Sequence, residues 1–238
     1  MSKNARRFTR RRKKEVGETP TPKYSKTITL TAQTYNQKIY ARALNEDPLI
    51  FVTGCAGTGK TYMAATQAAK MYYEGKISKI VVTRPNVAAG GRDIGYFKGG
   101  LKEKMTPWVA PLMDVLSKHL GKIKVEKMLE DGNIVVEPFS VMRGKSFDDA
   151  FIILDEAQNT TYTELKMFLT RIGEDTHVVI NGDMAQTDLD EKSGLRRIIH
   201  MIKSQMLPFP VIEMTEDDIV RSDVCATWIR AFLKEEAK

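Results

Sequence analysis

The amino-acid sequence predicts an α/β fold, a three-layer α/β/α sandwich on a mostly parallel sheet. Two observations predict it. From Lys26 onward, short β-branched and aliphatic runs alternate with longer segments of helical period. None of the short runs alternates cleanly between apolar and polar residues, as expected of strands buried on both faces. Right-handed crossovers then put the intervening helices on either side of the sheet.

The elements follow in chain order. A helix is expected over 33–45, then a strand over 49–53 from the apolar run Leu-Ile-Phe-Val-Thr. A helix over 60–74 leads to a strand over 79–83 (Lys-Ile-Val-Val-Thr), and a long helix over 101–119 to a strand over 134–137. Phe-Ile-Ile-Leu gives a strand over 151–154, followed by a helix over 160–172. A strand over 177–181, a helix over 194–204, a strand over 211–214 and a helix over 223–236 complete the pattern. No repeat or linker divides this body, so residues 27–238 are read as one domain. The stretch 84–100 lacks any period and holds five of the sixteen glycines. Loops of that length inside compact domains are more often functional than incidental.

The formal charge of +7 sits in one place. Residues 1–26 carry ten Lys or Arg against two acids, whereas the rest of the chain is close to neutral. This basic segment, closed by Pro20 and Pro22, cannot bury enough apolar surface to fold and is read as a disordered tail. Such an arm is drawn to phosphate backbones by counterion release, without sequence preference. A solubilising tail is the plainer reading of the same residues. Cys55 and Cys225 offer neither metal-ligand spacing nor a disulfide framework. No run approaches the ~18 apolar residues of a spanning helix, and the N-terminus lacks a secretory apolar stretch. A soluble, cytoplasmic protein without a membrane partner is expected.

Gly54-Cys55-Ala56-Gly57-Thr58-Gly59-Lys60-Thr61 matches the phosphate loop G-x-x-x-x-G-K-[ST], placed between an apolar strand and a helix. Glycines let the backbone N–H groups curl around an anion, and the helix N-terminus adds its dipole. Lys60 is expected on the β- and γ-phosphates of ATP, and the Thr61 hydroxyl on Mg²⁺, with Tyr62 next to the bound nucleotide. Asp155-Glu156 emerges at the end of the strand 151–154, where open α/β sheets place their ligands. Asp155 is expected to hold the metal through water, and Glu156 to orient and deprotonate the attacking water. After the strand 177–181, Gln186 can contact the γ-phosphate or that water.

These segments carry a family likeness. The chain resembles the PhoH family of P-loop ATPases, itself similar to the RecA-like core of superfamily 1 helicases. The resemblance rests on Gly-Thr-Gly-Lys-Thr-Tyr-Met-Ala (57–64), Thr-Arg-Pro-Asn-Val (83–87), Met-Arg-Gly (142–144) and Ile-Leu-Asp-Glu-Ala-Gln-Asn-Thr-Thr (153–161). Phe-Leu-Thr-Arg-Ile-Gly (168–173), Gly-Asp-Met-Ala-Gln (182–186), Ser-Gly-Leu (193–195) and Ile-Val-Arg (219–221) extend it. It implies a single RecA-like domain with ATPase activity coupled to nucleic acid, single-stranded RNA before DNA, and a possible RNA helicase. It also implies an adenine-reading role for Gln37, nucleic-acid contacts at Arg84 and Arg143, and a compact, phage-type member of the family.

The chain departs from the family pattern at Cys55, where proline is usual, and at Lys145, where arginine is. A thiol beside a helix N-terminus is expected to have a lowered pKa and to be oxidisable. Superfamily 1 motors close two domains over ATP, whereas this chain has room for one. An arginine supplied in trans is worth about 10³ to 10⁵ in rate where measured in GTPases, so a head-to-tail ring is expected, a hexamer by the resemblance. Arg171 and Arg221 are the candidates for the trans residue. An ATP-switched ring that binds RNA without unwinding it is the alternative. A small-molecule kinase is disfavoured by Asp155-Glu156 and Gln186, which suit activation of water.

Overall fold

The computed structural model describes residues 27–85, 101–142, 146–186 and 193–236, with side chains left out at 101–108 and 236. The basic tail, most of the glycine-rich loop (86–100), Arg143 and Lys145 lie outside the described residues.

Six strands, β1 (Leu49–Thr53), β2 (Lys79–Arg84), β3 (Ile134–Pro138), β4 (Ala150–Leu154), β5 (His177–Gly182) and β6 (Val211–Glu213), form one sheet in the order β3-β2-β4-β5-β1-β6. Every pairing is parallel. Thr53 is opposite Gly182 and Leu154 opposite Ile180, so the residues after β1, β4 and β5 emerge side by side at one edge. That edge carries the phosphate loop, the acidic pair and the 183–186 segment.

Successive side chains of a strand point to opposite faces, and both faces here are buried. Ile50, Val52, Ile80, Val82, Ile153 and Val179 pack under α1 (Tyr35–Glu46), α2 (Lys60–Tyr73), α3 (Leu101–Leu120) and α4 (Lys122–Glu130). Phe51, Val81, Ile152, Leu154, Val178 and Ile180 pack under α5 (Tyr162–Leu169) and α6 (Gly194–Ser204). The expected α/β/α sandwich is therefore what the chain forms. Helix α7 (Asp223–Glu236) buries only Ala226 among its described side chains and brings Ile229 close to Gly57 of the phosphate loop, within 3.4 Å of where a Cβ would stand there. No helix among the described residues is long and apolar enough to cross a membrane.

Two elements differ from expectation. Helix α4 was not anticipated: Gly121, with φ of 92°, is the single residue that separates it from α3. Helix α5 runs over 162–169 rather than 160–172. Thr161 starts it with a capping box, its hydroxyl accepting from Glu164 N while the Glu164 carboxylate accepts from Thr161 N.

A clasp fixes the start of α1 beside the turn after β6. The buried Asp218 carboxylate accepts from Asn36 Nδ2 and Thr215 N, both at 2.8 Å, and from the Thr34 hydroxyl. Two residues on, Val220 N donates to Gly57 O at 3.0 Å. The segment 218–221 is thus bound to the phosphate loop itself.

Candidate nucleotide-binding site

The phosphate loop owes its shape to glycine at two critical points. Gly54 has φ of 136°, and a Cβ there would lie 2.2 Å from Met214 O. Gly57 has φ of 83°, and its Cβ would meet Arg221 Cγ at 2.9 Å. L-residues with side chains rarely adopt such backbone, so the loop needs glycine for conformation and for room. Within the loop, Thr58 Oγ1 donates to Cys55 O at 3.0 Å.

Lys60 folds over the loop, and its Nζ donates to Gly54 O at 2.6 Å and Cys55 O at 2.9 Å. Burial pulls its pKa below the ordinary lysine value, against the attraction of Asp183 and Asp155. An incoming phosphate supplies the countercharge that this ammonium lacks. Gln37, 3% exposed, braces the loop from α1: its Nε2 donates to Thr58 O at 3.1 Å, and its Oε1 accepts from Gln33 N at 2.8 Å. Those partners set the orientation of the amide and leave one N–H for a ligand.

The first and second motifs meet directly. Thr61 Oγ1 donates to the two carboxylate oxygens of Asp155 at 3.1 and 3.2 Å. The Asp155 pKa is raised by burial and by neighbouring Glu156, and held back by the Thr61 bond and by Arg84 and Lys60. A hydroxyl and a carboxylate converging this way are hard oxygen donors, which suit Mg²⁺ completed by water and phosphate. Among the described residues no cluster of three or more His, Cys, Asp or Glu could hold a metal unaided.

Glu156 occupies the left-handed region, φ 55°, at the head of a 3-10 turn over Ala157–Asn159. Non-glycine residues held there cluster at functional sites. Its carboxylate lies 3.8 Å from Arg84 Nη2 and accepts a 2.6 Å hydrogen bond from Gln158 Nε2. Gln158 is 2% exposed, and its Oε1 accepts from Asp183 N at 3.0 Å. One amide thus spans the chain ends after β4 and β5. The sequence does not announce this role, because nothing about a Gln two residues after a Glu reveals a partner at 183.

A cleft of about 610 Å³ gathers these groups. It is lined by Gln37, Ala56, Gly57, Thr58, Gly59, Lys60, Thr61 and Tyr62 from the expected binding set, and by Arg84, Asp155, Glu156, Gln186 and Arg221. Asp183, inside the 182–186 segment that the sequence marks but without a role of its own there, also lines it, as does an apolar wall of Val109, Leu112 and Val115 from α3 that no sequence motif announces. Tyr62 is 40% exposed and receives Lys118 Nζ at 5.7 Å from its ring centroid.

One expectation changes, and the two candidate trans arginines fall in different places. The Cys55 thiol, expected to be acidified, has its pKa raised: it is buried, and desolvation outweighs the pull of Lys60. Arg221, one of the two trans candidates, borders the cleft of its own chain against Gly57. Arg171 is elsewhere: Ile172 bridges Phe147, just ahead of β4, which puts Arg171 at the sheet edge opposite the cleft.

A parallel α/β sheet with a glycine loop, a lysine and an acidic pair at the carboxyl ends of its strands defines a P-loop nucleotide-binding protein. The profile of the PhoH family, described as PhoH-like protein, matches residues 29–233, and the chain belongs to that family. It is 41% identical over 215 residues to a PhoH-like protein of Bacillus subtilis (strain 168), covering 90% of this chain and 67% of that one. It is 37% identical over 210 residues to Protein PhoH of Escherichia coli (strain K12), covering 87% of this chain and 59% of the relative. The chain thus spans roughly six-tenths to two-thirds of the length of these relatives. Among solved structures, the Sulfolobus solfataricus SWI2/SNF2 ATPase core in complex with dsDNA is similar at a TM-score of 0.48 and 15% identity, covering 80% of this chain and 46% of that chain.

Proposed function

We propose that this protein is a Mg²⁺-dependent ATPase whose hydrolysis is coupled to nucleic acid, single-stranded RNA before DNA. The observation that carries the proposal is the Thr61–Asp155 hydrogen bond, which joins the phosphate loop to the acidic pair with Glu156 alongside. The loop N–H groups receive the phosphates, and Lys60 exchanges its carbonyl partners Gly54 and Cys55 for the β- and γ-phosphate oxygens. Thr61 and Asp155 would hold Mg²⁺, which when bound neutralises charge developing on the phosphates. Glu156, fixed between Gln158 and Arg84, accepts a proton from water as its oxygen bonds to the γ-phosphorus and the bond to the β-γ bridging oxygen breaks. Gln186, exposed at the lip of the cleft, contacts the γ-phosphate or the water and reports on nucleotide state.

Nucleic acid is supported by the ten basic residues of the tail and by Arg84 on the cleft wall, with Arg143 as a further contact. Translocation or unwinding of RNA follows if hydrolysis moves neighbouring subunits in turn. A homo-oligomer, a hexamer on the family resemblance, is supported by the stripe Val224, Trp228 and Phe232 on α7, which are 72%, 60% and 57% exposed beside the phosphate loop. Arg171, remote from its own cleft, is the candidate for a neighbour's. The free thiols Cys55 and Cys225 suit a reducing cytoplasm.

Light scattering combined with steady-state hydrolysis across protein concentration tests the assembly. Specific activity that rises with mass, and again with RNA, supports it. A monomer at full rate that ignores RNA sinks the coupling.

A further inference from the structure

A second cavity, about 340 Å³ in volume, lies at the opposite edge of the sheet, where β4 and β5 begin. It is lined by Asn45 from α1, Gln67 and Met71 from α2, Lys76 from the following loop, and Asp149, Asp175 and His177 at the strand starts. None of these residues belongs to the nucleotide cleft. We infer that this cavity binds a small organic cation carrying a primary ammonium or a guanidinium group.

The inference rests on the hydrogen-bonding character of the lining. Gln67 is 3% exposed, and its Nε2 donates to Leu44 O at 3.1 Å and Asn45 Oδ1 at 3.2 Å. A backbone carbonyl only accepts, so Leu44 fixes which way the amide points. The Gln67 Oε1 atom is then buried without a partner. His177 Nδ1 is likewise buried and unpartnered. Burial lowers the His177 pKa, which favours the uncharged ring beside these groups. Asp149 and Asp175 add two carboxylates to the wall, and the Lys76 ammonium is engaged with Glu74 at 2.8 Å.

Acceptors therefore outnumber donors, and the lining carries negative charge. The unsatisfied, buried Gln67 Oε1 calls for a donor, and two carboxylates call for a cation. A bare metal ion fits poorly, since no set of three or more ligating residues assembles among the described residues. An ammonium or guanidinium brings both the charge and its own N–H groups. Met71, almost fully buried, offers an apolar contact for a short alkyl chain.

Calorimetric titration of the full chain, without nucleotide, against agmatine and 1,4-diaminobutane tests this, with 1,4-butanediol as the neutral control. We expect saturable binding of at least one cation, one per chain, and none of the diol. Asparagine tolerates left-handed backbone, which Asp149 and Asp175 adopt with φ of 51° and 53°. Asp149→Asn and Asp175→Asn should therefore fold, as circular dichroism would verify, and each should weaken binding about tenfold or more. Gln67→Leu should weaken it as well, with ATP hydrolysis unchanged in all three. Absence of saturable binding overturns the inference, as does diol binding equal to that of the cations. So does undiminished binding to a folded Asp149→Asn, Asp175→Asn double variant.

Discussion

Gln158 Nε2 donates to Glu156 Oε2 at 2.6 Å while Gln158 Oε1 accepts from Asp183 N at 3.0 Å, so one side chain fixes the candidate base to the neighbouring strand. Replacing it with leucine keeps the volume and removes both bonds. Gln158→Leu should lower kcat roughly 10- to 100-fold with KM for ATP nearly unchanged, because misplacing a reacting group costs rate more than binding. Gln158→Glu sets a second carboxylate against Glu156 and should move the acid limb of the kcat profile to higher pH. A role confined to folding would leave that limb where it is.

Asp155 makes a linkage prediction. Its folded-state pKa is raised, chiefly by burial, so the native state holds this proton more tightly than the unfolded chain. The stability it contributes is complete below the unfolded Asp pKa of about 3.9 and is lost as pH rises through the folded value. Asp155→Asn, neutral at every pH, should therefore melt above the wild type at pH 7 without nucleotide. The gap should close as pH falls toward 4, as paired melting curves across pH would measure. A variant that melts lower at pH 7 contradicts this reading.

The two tight glycines should fail differently. Gly54→Ala forces a Cβ to within 2.2 Å of a backbone carbonyl, which has no easy way to retreat. A loss of about 3 kcal/mol or more in urea unfolding is expected. Gly57→Ala meets the flexible Arg221 side chain and should fold, with a loss of about 1–2 kcal/mol, while weakening ATP binding by displacing that arginine from the cleft wall.

Mixing experiments separate the two arginines. Arg221 borders its own chain's cleft, so Arg221→Ala subunits mixed with Lys60→Ala subunits contain no complete site and should stay inactive. Arg171→Ala mixed with Lys60→Ala should recover activity at interfaces where an intact Lys60 meets a neighbour's Arg171. Failure of that pair removes Arg171 from the proposal.

The strands were legible almost to the residue, because runs such as Phe151-Ile152-Ile153-Leu154 are buried on both faces and leave no competing pattern. Their order was not: nothing in the segments 49–53, 151–154 and 177–181 says that the third lies between the other two. Helix α4 was hidden because Gly121 breaks α3 without the longer polar spacer that marks a loop. The phosphate loop and acidic pair were readable as local strings whose chemistry depends on spacing. Gln158 and the Cys55 environment depend on distant segments, at 183 and 215, that only the fold brings near.

In the proposed mechanism Glu156 removes the proton from the water that attacks ATP. Phosphate release by the wild type and by Glu156→Gln, with Mg²⁺ and with or without single-stranded RNA, tests that role. RNA should accelerate the wild type, and the variant should bind ATP with unchanged affinity but release phosphate at least about a hundredfold more slowly. A Glu156→Gln protein that hydrolyses ATP at the wild-type rate would contradict it.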